Sequence, residues 1–271
     1  MRVAIIGGGT IATLFIDHIS RGELGDAQVV AVVGRNDASR GRPLAGEHGI
    51  AYVTTLGELL ALRPDVVVEA AAHEAVRDFG EALLREGIAL IVLSGGALCD
   101  DALRGRLEAA AQASGALLYV PSGGIGALDA LKAAALSGMD SVTISVAKPP
   151  AAWKGIPFVE RLGVDLPGLK QAMVLFDGTA REGVPHFPAN VNIAAVLSLS
   201  GIGFDRTRLK VIADPALTYN THHIEMRGKT GNIRIEFENV PSPDNPKTSW
   251  LACYSALAAL KHAKSPVRYG T

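Results

Sequence analysis

Residues 3–12 read Val-Ala-Ile-Ile-Gly-Gly-Gly-Thr-Ile-Ala, a short apolar run that meets glycine and passes at once into an amphipathic stretch. A continuous apolar run of this length suits a strand buried on both faces of a parallel sheet. Ile11, Leu14, Phe15 and Ile19 then recur at helical spacing, so the glycines mark a strand-to-helix turn. The pattern G-x-G-x-x-A gives each position a task. Gly7 permits the tight turn, Gly9 lets backbone approach a pyrophosphate, and small Ala12 keeps the helix close to the sheet. The N–H groups opening that helix, at Thr10, Ile11 and Ala12, would hold the anion at the positive end of the helix dipole. The pattern alone is common, but between a strand and a helix it predicts a dinucleotide-binding βαβ unit.

The rest of the first half keeps that alternation. Strands are expected at residues 29–33, 65–69, 89–93 and 116–120, with helices at 10–20, 56–62, 74–86 and 100–113. Such a series predicts an α/β fold, a Rossmann-type doubly wound parallel sheet with right-handed crossovers. After Pro121 the pattern changes. Residues 141–147 and 208–213 look like strands, and 222–227 with 232–238 alternate as an antiparallel pair around Gly228-Lys229-Thr230-Gly231. A loop is expected over 148–168 and helices over 189–199 and 245–263. The expected organisation is a dinucleotide-binding domain of residues 1–120, completed by 241–271, and an α+β substrate and dimerisation domain of residues 121–240.

Composition narrows the partners. The 26 Lys+Arg and 27 Asp+Glu leave a net charge of −1, which argues against a nucleic-acid binder. No apolar run approaches the roughly 20 residues that span a bilayer, and glycines interrupt the first apolar run too early for a signal peptide. Two cysteines far apart, Cys99 and Cys253, make neither a disulfide framework nor a zinc cluster, which points to a reduced cytoplasmic protein. None of the seven histidines pairs with another ligand at metal spacing, so no metal site is expected. His222 and His223 are adjacent on an expected strand and must point to opposite faces, so one of them faces the interior.

Two further stretches bear on ligands. The second strand ends Val33-Gly34-Arg35-Asn36, without the acid that would grip the ribose 2′-hydroxyl of NAD. Arg35 stands where a cation meets a 2′-phosphate, which predicts use of NADP or of both cofactors. Residues 69–71, 94–97 and 121–129 lie at strand ends, three of them glycine-bearing or small-residue segments suited to lining a cofactor crevice.

With these residues in view, the chain resembles the L-aspartate dehydrogenase family. The resemblance is carried by GGGTIA at 7–12, PSGGIGALDAL at 121–131, KPP at 148–150, FPANVNIAA at 187–195, VIADPALTYNTHHI at 211–224 and ENVPSPDNPKTS at 238–249. It runs over nearly the whole chain, and departs from the family at Ala12, where a third glycine is frequent. The resemblance implies oxidative deamination of L-aspartate to iminoaspartate with NAD or NADP, a role in NAD biosynthesis, and His222 as catalytic acid/base. It also implies cofactor contacts at Gly124 and Asn190. Histidine suits proton transfer near neutral pH, and a dicarboxylate substrate calls for donors, for which Lys148, Asn220 and Lys247 are the candidates. Each lysine is equally compatible with a solvated position. A homo-oligomer, most simply a dimer, could form through the second domain. Two other readings stay open: a different two-domain Rossmann oxidoreductase, of the homoserine dehydrogenase or dihydrodipicolinate reductase kind, and a non-catalytic dinucleotide sensor. Arg35→Ala is expected to raise the Michaelis constant for NADP by about tenfold or more, the loss of one charge-assisted hydrogen bond. Unchanged constants for both cofactors would remove Arg35 from recognition.

Overall fold

Parallel pairing of short, β-branched strands organises the first part of the chain in a computed structural model that describes residues 1–242, 249–263 and 267. The described residues divide into two units, one of Met1–Pro121 with those of Ala256–Val267, the other with those of Ser122–Ser255. Residues 241–255, grouped with the first domain on sequence grounds, fall in the second unit.

In the first unit the elements run β1 (Arg2–Ile6), α1 (Thr10–Ser20), β2 (Gln28–Val33), α2 (Gly41–Glu47), β3 (Ala51–Val53), α3 (Leu56–Ala61), β4 (Val66–Glu69), α4 (His73–Arg85), β5 (Ala89–Val92), α5 (Asp101–Ser114) and β6 (Leu118–Tyr119). The six strands are ordered β3-β2-β1-β4-β5-β6, and every pair is parallel. Local chemistry sets the helix starts. Thr55 and Glu58 form a reciprocal capping box on α3, and Asp100 accepts from Ala102 and Leu103 N–H at the head of α5. The all-buried Val66-Val67-Val68 of β4 shows why its apolar run was readable as a central strand. The α2 and β3 elements escaped the sequence reading, since β3 is only three residues long, too short to show a period. Strand order reverses between β1 and β4, and in open sheets of this kind ligands bind outside the carboxyl ends of the strands at that reversal.

The second unit carries α6 (Leu128–Ser137), β7 (Met139–Lys148), α7 (Pro157–Arg161), β8 (Met173–Thr179), α8 (Ala180–Gly183), α9 (Asn192–Ser200), β9 (Thr207–Ala213), β10 (Asn220–Gly228), β11 (Gly231–Asn239) and α10 (Trp250–His262). Its sheet is mixed, in the order β11-β10-β7-β9-β8, with β7 and β9 parallel and the other neighbours antiparallel. Alternation along β10 buries His222, Ile224 and Met226 and exposes His223, Glu225 and Arg227. The β8 strand was missed because a register shift between Val174 and Phe176 breaks its alternation. The α10 helix changes unit at Ala256, and its Leu257 and Leu260 join Val3, Ile5, Phe15, Val32 and Ile91 in the first unit's core.

The close approach of α2 to the β1–α1 turn positions the ligand end of the first unit. A Cβ on Gly8 would lie 2.2 Å from the Gly41 nitrogen, so the two backbones touch. Gly8→Ala is therefore expected to destabilise the protein by about 1–3 kcal/mol, the usual cost of overpacking. Gly9→Ala, whose Cβ meets nothing within 4 Å, should stay within about 1 kcal/mol of the parent. Urea unfolding of the two variants compares them directly.

Candidate active site

The first unit presents an open helix terminus. Gly7 donates to the Val33 carbonyl at 2.9 Å and adopts φ +114°, a left-handed conformation that favours glycine. A side chain there would also strike the Ala70 carbonyl, at 2.6 Å from the new Cβ. Gly9 caps α1 with no side-chain hydrogen bond and no acid in the first turn, leaving its N–H groups available to a ligand. With Ala12 buried against the sheet, Gly7, Gly9, Thr10, Ile11 and Ala12 together fit a bound pyrophosphate.

At the end of β2 the charges sort themselves. Arg42 pairs with Asp37, two residues beyond Arg35. The Asn36 side chain turns back on its own loop, accepting from Ala38 N–H at 3.1 Å and Ser39 Oγ at 3.3 Å. Arg35 is exposed and makes no ion pair among the described residues.

Glu69, the last residue of β4, is fully buried. One carboxylate oxygen accepts from Ala71 N–H at 2.8 Å and Ser94 Oγ at 2.9 Å, and the other accepts from Ser94 N–H at 2.9 Å. Burial raises its pKa above the ordinary carboxylate value, while these hydrogen bonds act against the shift. The side chain thus ties the carboxyl ends of β4 and β5 together. The sequence placed residues 69–71 and 94–97 at equivalent strand ends, but not this bond between them.

The second unit gathers a different set. A Cβ placed on Gly124 would lie 3.5 Å from Asn239 Nδ2, 3.6 Å from Ser249 Oγ and 3.7 Å from His222 Nε2, so three polar groups converge on this glycine. Asn239 Nδ2 donates to the Gly124 carbonyl at 2.8 Å, and Asn220 Nδ2 donates to Ser249 Oγ at 3.4 Å. Gly123 N–H donates to Ser255 Oγ at 3.1 Å, further fixing the loop, which then enters α6 through Ala127 in the left-handed region at φ +59°. A non-glycine residue there stores of order 1 kcal/mol or more.

Lys148, at the end of β7, is buried and donates from Nζ to the Asn190 carbonyl at 3.4 Å. Its ammonium lies 5.5 Å from the ring centre of Trp153, whose Nε1 donates to the Ile212 carbonyl at 3.0 Å. Trp153, Phe158, Phe176 and Phe187 pack edge-to-face with one another, and Trp153 joins that cluster to Lys148. Burial, reinforced by the Lys148 charge, pushes His222 down to about 3, with the Thr221 backbone acting the other way. His222 is therefore a neutral imidazole at ordinary pH. Asn190 Oδ1, Thr221 Oγ1, His222 Nδ1 and Ser242 Oγ are buried without a hydrogen-bond partner among the described residues. Buried polar groups are rarely left so, and His222 Nδ1, on the ring whose Nε2 converges with Asn239 and Ser249 on Gly124, marks a polar ligand site.

Of the residues singled out in the sequence, His222, Lys148, Asn190, Asn220 and Gly124 come together in this cluster, and His222 rather than His223 is the inward member of its pair. Asn190 precedes α9 instead of lying within it. Lys247 lies outside the described residues. The sequence reading missed Asn239, Ser249, Thr221 and Ser242. Asn239 had a usable signal: counting back from the Gly228–Gly231 turn pairs it with Asn220, as observed. Because His222 binds a proton in the unfolded chain near pH 6.5 but not in the folded one until about 3, it contributes a loss of stability as pH falls through that window. His222→Gln is expected to flatten the pH dependence of unfolding between those limits, which denaturant titrations across that range would measure.

The protein-family model described as aspartate dehydrogenase, C-terminal, matches residues 129–263, and the model described as homoserine dehydrogenase, NAD binding domain, matches residues 7–121. L-aspartate dehydrogenase 2 of Bordetella bronchiseptica is 44% identical over 263 residues, covering 96% of each chain. L-aspartate dehydrogenase of Methanosarcina mazei is 41% identical over 276 residues, covering 100% of each. The crystal structure of aspartate dehydrogenase from Thermotoga maritima superposes with a TM-score of 0.75 at 28% identity, covering 100% of this chain and 99% of that one. With identities of 44% and 41% running over nearly the full length of both chains, the chain belongs to the L-aspartate dehydrogenase family.

Proposed function

We propose that the chain oxidises L-aspartate to iminoaspartate with NAD or NADP, water then releasing oxaloacetate and ammonia. The observation that carries this reading is the neutral, buried His222 set among amide and hydroxyl groups beside a buried lysine. Family membership supports the substrate, and the open terminus of α1 supports a dinucleotide. When bound, the nicotinamide supplies the two-electron acceptor.

The protein's own groups handle protons and charge. Neutral His222 takes a proton from the substrate ammonium, freeing the nitrogen lone pair to form C=N as the Cα hydrogen leaves with its electron pair. A dianionic substrate beside the imidazole raises its proton affinity above that of the empty site. Once that proton has passed to solvent, the regenerated neutral imidazole takes a proton from the water that adds to the imine carbon. Lys148 and the Asn220 amide supply donors for the carboxylates, with Lys247 as a further candidate. Asn190 and Gly124 are assigned to the cofactor through the family motif.

Arg35, with Asp37 already neutralised by Arg42, supports acceptance of NADP alongside NAD. Two buried cysteines far apart in the chain, with the Cys253 thiol raised by burial to about 11, support a reducing compartment such as the cytoplasm. The exposed, charged face of β10 supports a homodimer through the mixed sheet, and the product fits a supply role in NAD biosynthesis.

A matrix of single amino acids against NAD and NADP, followed by reduced-nicotinamide absorbance at alkaline pH, should show turnover with L-aspartate. Turnover with homoserine and none with aspartate would overturn the reading. His222→Ala is expected to lower kcat by roughly 10²–10⁴-fold, and parent-level turnover in that variant would exclude His222 from the chemistry.

A further inference from the structure

Glu69 is a buried carboxylate to which the mechanism above gives no part. It lies in register with Ile6, the residue before the phosphate turn, on the strand that adjoins β1 where strand order reverses. Ala71 N–H, Ser94 N–H and Ser94 Oγ present donors to both oxygens. These donors favour the ionised form, which only accepts, and act against the upward push that burial gives its pKa. No ion pair among the described residues reaches it. The charge is therefore stabilised by fixed dipoles and left without a counter-ion at the carboxyl edge of the sheet, where a low dielectric carries its field further than in water.

Ligands of doubly wound sheets occupy that edge. The oxidised nicotinamide ring is a cation and the reduced ring is neutral, so a fixed anion there acts on the two forms unequally. We propose that Glu69 makes the dinucleotide crevice favour the oxidised cofactor over the reduced one. The inference rests on the reading that this crevice takes NAD or NADP. An enzyme that must release reduced cofactor after each oxidation gains from such a bias, since the product form is held less tightly than it would be in a neutral crevice.

Calorimetric titration of NAD⁺ and NADH into the full-length parent, Glu69→Gln, Glu69→Thr and Glu69→Asp tests this. Both neutral variants should shift the ratio of the two dissociation constants by about tenfold toward NADH, equivalent to about 30 mV in the potential of the bound couple. Glu69→Asp shortens the reach but keeps the charge, so it should retain the parent ratio even if both forms bind more weakly. Threonine, a good strand former with a hydroxyl, decides the matter if glutamine disturbs folding. A folded neutral variant that binds both forms in the parent ratio would overturn the proposal and leave Glu69 as a tie between strand ends. Failure of the parent to bind either form would instead overturn the nucleotide reading, and this inference with it.

Discussion

Contact between backbones at the β1–α1 turn is the constraint on which the ligand end of the first unit depends. Gly7 packs against the Ala70 carbonyl of the β4 end, and Gly8 packs against Gly41 at the start of α2. No side chain fits either contact, so the turn, the β4 end and the α2 start form one close-packed layer. Gly9 lies on the other side of that layer with open space around it. Two glycines thus hold the turn in place and the third leaves its helix terminus accessible. Glu69 extends the same layer past the end of β5 to Ser94, its carboxylate adding to the backbone bond that its carbonyl accepts from Leu93 N–H.

The second unit answers a different problem, how to keep polar groups buried and ready for a ligand. Phe237 on β11 and Val146 on β7 flank His222 in the sheet, and the alternation of β10 turns the imidazole to its buried face. The energetic consequence is a depressed imidazole and several unpartnered amide and hydroxyl atoms. Such groups cost stability unless something polar meets them. Aromatic rings around Trp153 and Phe187 give Lys148 a rigid surround, so the cation stays beside the histidine rather than reaching toward water.

Periodicity made much of this legible. The parallel, doubly wound character of β1, β2, β4, β5 and β6 follows from alternating apolar runs and helical faces, because parallel strands require crossovers and crossovers have one hand. The glycine turn was legible because its spacing reports directly on steric needs. His222 was distinguishable from His223 only as one of a pair, until the partners on β7 and β11 showed which face was covered. Elements too short or too irregular to repeat a period, β3 and β8, were not legible for that same reason.

By itself the sequence determined the doubly wound half, the phosphate turn and the family motifs, since each depends on residues close together in the chain. Only the tertiary structure decided which polar groups share a site. Asn239 meets Gly124 across 115 positions, Lys148 meets Asn190 across 42, and Ser94 meets Glu69 across 25. Such meetings are set by strand register and loop closure, which no local spacing encodes. The same holds for charge: Glu69 and His222 are ordinary titratable residues in sequence, and only the fold sets burial against hydrogen-bond donors at one and adds the Lys148 charge to burial at the other.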